Sequence, residues 1–421
     1  MPNMEMTSIR WKRGIAVCAI GLLFALPTLA ADIPSASTGL ARALEQAWRL
    51  HPQAAGLDAR EAEARAAQDV ASGLTPEPGS VSISSRNDQL SRNLGKQEWE
   101  VELAAPLWLP GQKAAREAEA ASRIEEAAAK RAALRWELAG VLREAWWSLA
   151  AARNVNALAI RRLATAQALE ADVRRRYTVG ELSRIDANLA QAEVLAASAE
   201  QAETETTLLQ AEQALRTLTG TVAPQDVGEE VPTTLRRSGG LPSVPEAHPS
   251  LIAAVAAARS ARARVTVAEE SRRAAPELAL RVVRERDDAA EPYGNTIGIR
   301  LKIPFSSGPQ VRRETSAAQA EADQADAETV RAQTRTQLEA KQAERVLASS
   351  ERQFLMAQER RQLSAENLRL AEKAFSLGES DLATLLRIRA AAFDAEAFLD
   401  RQRVARAAAI SRLNQALGVL P

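Results

Sequence analysis

The sequence predicts a mainly α-helical chain with a small membrane β-part, built as a duplicated module of long coiled-coil helical hairpins plus two β-hairpins. Three observations carry this. Glu98-Trp99-Glu100-Val101-Glu102-Leu103 alternates carboxylates with apolar side chains, and Thr296-Ile297-Gly298-Ile299-Arg300-Leu301-Lys302-Ile303 repeats that period of two. Two runs, Lys113 to Arg176 and Val311 to Ser376, contain no proline and are crowded with Ala, Glu, Gln, Arg and Leu, the residues that lose least in a helix. Landmarks also recur at a fixed offset. Pro106 and Pro304 are 198 residues apart, as are Gln112 and Gln310, Tyr177 and Phe375, Gly180 and Gly378, Glu181 and Glu379, and Gly220 and Gly418.

In chain order, Arg10, Lys12 and Arg13 precede the apolar run Gly14 to Leu26 and then Pro27-Thr28-Leu29-Ala30-Ala31, the layout of a signal peptide over residues 1–30. That run is too short to span a bilayer as a helix, and no later stretch approaches the ~20 apolar residues required, so membrane insertion falls to strands. Cys18, the only cysteine, leaves with the signal.

The first repeat occupies 31–220, a linker 221–246 and the second repeat 247–421. Each module opens on His-Pro, His51-Pro52 and His248-Pro249, with proline suited to a first helical turn. Helices follow over Pro52 to Ser72 and Pro249 to Arg273. Strand pairs come next, Ser80 to Asn87 with Gln97 to Leu103, and Glu277 to Arg286 with Asn295 to Ile303. Polar segments join them as hairpin loops should. The two long runs would each reach about 95 Å at 1.5 Å per residue. Leu134, Leu138, Val141, Ala145, Ser148 and Ala152 mark a coiled-coil seam. Both runs end at a glycine suited to a left-handed reversal, and helices return over Leu182 to Leu218 and Ser380 to Leu417. Residues Thr221 to Glu246, rich in Pro, Gly, Thr and Val, read as an irregular linker packed outside the helices.

Composition narrows the function. Lys plus Arg equal Asp plus Glu, 54 each, and the charges are interspersed, so no nucleic-acid face stands out. The mature chain has no thiol and only His51 and His248, which excludes disulfide staples and Cys/His metal cages. There is no phosphate loop, no His-Glu-x-x-His and no Gly-x-Ser-x-Gly, so neither catalytic residues nor a cofactor are expected and the chain does not read as an enzyme. Glu98, Glu100 and Glu102, with Arg300 and Lys302, read as a solvated lumen face rather than a cation site. Trp146-Trp147 reads as packing rather than ligand binding.

Two hairpins supply four strands, too few to close a membrane barrel, and open edges are not tolerated in lipid. More than one chain is required: two would give eight strands and a plugged lumen, three would give twelve and a water-filled bore.

Signal peptide, duplicated helix-hairpin-helix-helix module, proline-ended strands and glycine-tipped helical hairpins together resemble the TolC-type outer-membrane efflux proteins, from about Leu44 to Gly418. The resemblance implies a homotrimer, an α-barrel/β-barrel channel surrounded by outer-membrane lipid with a long periplasmic tunnel. It also implies a periplasmic adaptor (membrane fusion) protein and an inner-membrane pump as partners, exporting small solutes such as metal cations or drugs. Val179-Gly180-Glu181-Leu182 and Leu377-Gly378-Glu379-Ser380 would then be adaptor-docking tips, with Glu181 and Glu379 also placed to favour a helix start. A periplasmic gate carboxylate of that family corresponds to Asp186 in the first module. The second module departs from it, with Thr384 at that place and Arg387 three residues on. Brevity and the lack of a lipidation cysteine bring the chain nearest the heavy-metal efflux branch. The competing class is a periplasmic adaptor or structural coiled coil, against which the symmetrically placed strand pairs argue.

Overall fold

The computed structural model describes residues 38–421 apart from 92, 226, 234–236, 239–240, 243–246 and 306–307. The signal peptide and Cys18 lie outside the described residues. The elements are α1 (Thr38–Leu50), α2 (Pro52–Ser72), β1 (Ser80–Asn87), β2 (Gln97–Pro106), α3 (Gln112–Thr178), α4 (Arg184–Thr219), β3 (Arg237–Ser238), β4 (Leu241–Pro242), α5 (Pro249–Glu270), β5 (Glu277–Arg286), β6 (Gly294–Lys302), α6 (Gly308–Ser376) and α7 (Leu382–Ala416).

The two hairpins join into one antiparallel sheet in the order β1-β2-β5-β6, because β2 of the first module pairs with β5 of the second. The helices nearest the sheet stand in the same order: α2 packs on α3, α3 on α5 and α5 on α6. Farther from the sheet α4 takes the place of α2 and α7 that of α5. Helices α3 and α6, of 67 and 69 residues, run the full length, about 100 Å each at 1.5 Å per residue.

Alanine makes this layer possible. Ala139, Ala197, Ala340, Ala357 and Ala395 are fully buried at helix contacts, where a small side chain lets axes approach closely. The layer thickens at one level. Trp146 and Leu142 of α3, Leu40 and Leu44 of α1 and Leu215 of α4 form one core. Trp146 is fully buried, and the Trp147 indole donates to the Ser411 hydroxyl at 2.7 Å. A second core ties both hairpin ends together through Val173, Ala190, Phe375, Leu382 and Leu385.

Three expectations need correction. Helix α1 was not foreseen, although Leu40, Ala43, Leu44 and Ala47 lie on one buried stripe. The linker is not wholly irregular, since β3 and β4 pair antiparallel within it and β4 lies against α6. The buried stripe of α3 is also rotated from the expected seam. Leu138 and Ala152 are buried, but Val141 and Ser148 are exposed, and Ala139, Leu142, Trp146 and Leu149 face the core instead. Helix α3 is packed on both flanks, so its buried face is wider than a two-position seam.

Candidate functional site: a two-faced sheet and two matched tips

Pairing register arranges the sheet into rows that cross all four strands. Toward one face lie Val81-Leu103-Leu280-Ile299 and Ile83-Val101-Val282-Ile297, every member a large apolar side chain. The next row toward the helices carries Ala105, Leu278 and Leu301. All of these large side chains are exposed, and Phe305 just beyond β6 is 99% exposed. On the loop side the same face continues as Ser85-Trp99-Arg284-Asn295. From Trp99 to Leu107 is at most about 27 Å of extended chain, comparable with the ~25 Å apolar band of a transmembrane barrel.

The opposite face alternates into Ser82-Glu102-Arg281-Gly298 and Ser84-Glu100-Val283-Thr296, with Arg86, Glu98 and Glu285 in the row nearest the loops. Here the carboxylates are screened and paired. Arg281 reaches Glu100 at 2.7 Å and Glu98 at 3.8 Å, Arg86 reaches Glu98 at 3.8 Å, and Arg300 pairs with Glu102. Glu102 is 6% exposed, whereas Trp99 beside it in sequence is 53% exposed. The structure therefore brings Glu98, Glu100, Glu102 and Arg300 onto one face. Lys302 shares that face opposite Glu277.

At the other end of the long helices the two tips are copies of one another. Gly180 and Gly378 take φ of 82° and 76°. In each, the glycine amide donates three residues back (to Tyr177 O at 3.0 Å, to Phe375 O at 3.1 Å) and the next amide reaches five back (to Arg176 O and Ala374 O, both 2.9 Å). This is the glycine-terminated close of a helix, and it leaves Val179 and Leu377 exposed at the ends. Glu181 and Glu379 are exposed beside them, whereas Leu182 turns inward onto the tip core. Ser380 is half-buried.

The gate candidates sit in the caps that follow. Asp186 accepts from the Ser183 amide at 3.0 Å and hydroxyl at 2.7 Å while its own amide donates to Ser183 Oγ, a capping box opening α4. In the second module Asp381 is the cap, accepting from the Thr384 amide at 2.8 Å. Those hydrogen bonds from Thr384 hold the Asp381 carboxyl below its usual range, and the charge of nearby Arg387 adds to this. Arg387 is exposed.

One polar cluster carried no signal in the sequence. Arg143 of α3 makes a bidentate ion pair with Glu230 of the linker, both almost fully buried, and Glu230 also accepts from Ser411 of α7. Arg143 donates further to Val419 O at 3.0 Å. His248 is likewise buried, edge-on to Trp136 with ring centroids 4.8 Å apart, and both its ring nitrogens lack a hydrogen-bond partner among the described residues. Burial holds it below the usual histidine value.

Among the described residues, no group of three or more His, Cys, Asp or Glu is placed to hold a metal ion. No described helix is long and apolar enough to cross a membrane.

No family model matches the chain, and no curated protein sequence matches it significantly. Solved structures do. A membrane protein from Pseudomonas aeruginosa is 21% identical, with a TM-score of 0.73 over 91% of this chain and 90% of its own. The outer membrane protein VceC from Vibrio cholerae is 16% identical, with a TM-score of 0.74 over 90% and 96%. CusC, described through its transmembrane channel formation, is 16% identical, with a TM-score of 0.75 over 90% and 92%. The match runs over nine tenths of the chain, and the chain has the fold of outer-membrane channels.

Proposed function

We propose that the chain is one protomer of a homotrimeric, TolC-type outer-membrane channel that exports small solutes. The sheet supplies four of twelve barrel strands, and the helical layer supplies a third of the periplasmic tunnel. The observation that carries this reading is the apolar face of the sheet. Two complete rows of large aliphatic side chains lie exposed, backed by a paired, charged face, on a sheet whose edge strands β1 and β6 have no partner among the described residues. In water such a face would cost about 25 cal/mol per Å², and in lipid it costs nothing. The adaptor alternative leaves this band unexplained.

The matched tips Val179 to Leu182 and Leu377 to Ser380 are the docking ends for a periplasmic adaptor, which links the channel to an inner-membrane pump. Asp186, Thr384 and Arg387 line the periplasmic aperture, and Glu98, Glu100, Glu102, Arg300 and Lys302 line the barrel lumen. The fit to solved outer-membrane channels supports the architecture. Carbonate extraction and light scattering test it: the mature protein is expected to stay with outer membranes and to have the mass of three chains in detergent. A stable monomer, or release by carbonate, overturns it.

A further inference from the structure

The apolar face of the sheet does not end in neutral polar side chains at its loop end. Arg284 and Arg286 of β5 both lie there, two residues apart and so on one side of the strand, in the rows next beyond the aliphatic band. Their guanidinium carbons are 4.8 and 4.9 Å from the centroid of a single ring, Tyr293. Two like charges gathered on one ring repel, and the ring's face offsets only part of that. No carboxylate completes the offset, because neither arginine makes an ion pair among the described residues. Strand alternation turns Glu285 and Glu98 to the other face. Of the loop acids, Asp287 is engaged by Lys96 at 2.8 Å, Asp88 and Asp288 accept backbone amides of Leu94 and Ala290, and Glu291 is exposed and in no ion pair with either arginine among the described residues.

The positions are built rather than incidental. Arg286 Nε donates to Gly95 O at 3.0 Å, which orients the guanidinium. Gly95 has φ of 93°, and a Cβ there would come within 2.7 Å of Ala289, so the loop carrying that carbonyl packs as it does only with glycine. The Tyr293 hydroxyl is held by Gln97. Trp99, in the same row as Arg284, supplies an exposed indole of the kind that settles at a lipid headgroup boundary.

We infer that Arg284 and Arg286, held by Tyr293 and Gly95, form a binding site for the phosphate of a phosphorylated glycolipid in the outer leaflet. This rests on the membrane reading above, since the loop end of the sheet then lies at the outer surface. Paired guanidinium groups match phosphate oxygens bidentately, and the aliphatic rows directly beneath accept the acyl chains.

The test uses the full mature assembly in neutral detergent. It is titrated with diphosphorylated lipid A, with dephosphorylated lipid A and with inorganic phosphate, and bound lipid is counted by native mass spectrometry. Lipid A is expected to bind the parent about tenfold more tightly than Arg284→Gln/Arg286→Gln. Dephosphorylated lipid A should not distinguish the two, and Arg313→Gln/Arg331→Gln on α6 should bind like the parent. Equal lipid A binding by parent and loop-end variant overturns the site. Inorganic phosphate binding as tightly as lipid A makes it a free-anion site and overturns the lipid assignment. Flotation with lipid vesicles separates the two levels. A parent that fails to float refutes the membrane reading itself, whereas one that floats without discriminating the variant refutes only this inference.

Discussion

Arg143 and Glu230, 87 residues apart, meet in a buried bidentate pair with Nε–Oε2 at 3.0 Å and Nη2–Oε1 at 2.6 Å. The pair pins the linker to α3, and through Ser411 to α7, so one carboxylate holds three segments together. Breaking a buried pair strands a charge away from water, so Glu230→Ala is expected to cost about 3–5 kcal/mol in denaturant unfolding. Arg143→Met/Glu230→Met, which removes both charges, should recover most of that loss. Equal instability of the single and double variants would show that the charges are not what matters.

His248 gives the fold a pH dependence of defined sign. Its folded-state value is lowered by burial, with Glu339 partly opposing, so below the unfolded value of about 6.5 the unfolded chain takes up the proton first. Stability is therefore intact above that pH and falls as pH drops toward the folded value. The melting temperature should decline between pH 7 and 5, and His248→Phe, which keeps an aromatic against Trp136, should flatten that decline. An unchanged pH slope in the variant would remove His248 as its cause.

The two faces of β6 should tolerate charge differently. Ile299→Arg places a guanidinium in the middle of the exposed aliphatic rows, at about 2–4 kcal/mol near a bilayer midplane. Arg300→Ala next to it removes the partner of Glu102 on the charged face and puts no charge among the aliphatic rows. Assembly measured by heat-resistant migration in gels should be lost in the first and kept in the second.

At the tips, Gly180→Val/Gly378→Val forces β-branched residues toward positive φ, although open space surrounds both positions. Strain without steric clash should distort the hairpin ends and spare the cores behind them. Export in cells should drop while the trimer still forms, and normal resistance to the exported compound would count against docking there.

The gate prediction separates capping from closure. Arg387→Ala leaves both caps intact and should raise single-channel conductance in planar bilayers. On the proposed aperture Asp186 and Arg387 pair across neighbouring helices, and Asp186→Asn weakens that contact while the side-chain oxygen still accepts from Ser183. It should do nearly the same. Each contact contributes only about 0.2–1 kcal/mol, so high salt should shrink both effects. Variants that conduct like the parent at low salt would place the constriction elsewhere.

Strand alternation and the 198-residue offset were legible because each is a local pattern repeated, and β1 and β5 were placed to the residue. Glycine tips were legible for the same reason. Helix α1 was not, although its Leu40, Leu44 and Ala47 have helical spacing. It precedes the His51-Pro52 landmark, and its counterpart in the second module is linker, so the duplication did not point to it. The Ser183-x-x-Asp186 pattern is a capping box readable in one dimension. Glu230 was out of reach altogether. Its partners lie 87 and 181 residues away, and nothing in Gly228-Glu229-Glu230-Val231-Pro232 distinguishes the carboxylate that is buried from the one beside it.

In the proposed trimer, the pairing of β2 with β5 also sets an order of events in assembly. In a closed ring of copies each protomer contributes four strand joints, and three of them, β1-β2, β2-β5 and β5-β6, form within a single chain at a rate independent of concentration. The fourth, between β6 of one copy and β1 of the next, is bimolecular. A newly exported chain can therefore finish its own sheet and still carry two open edges and a bare aliphatic face, a species prone to aggregate until a copy arrives. Dilution should then slow barrel closure without slowing the folding of the helical layer.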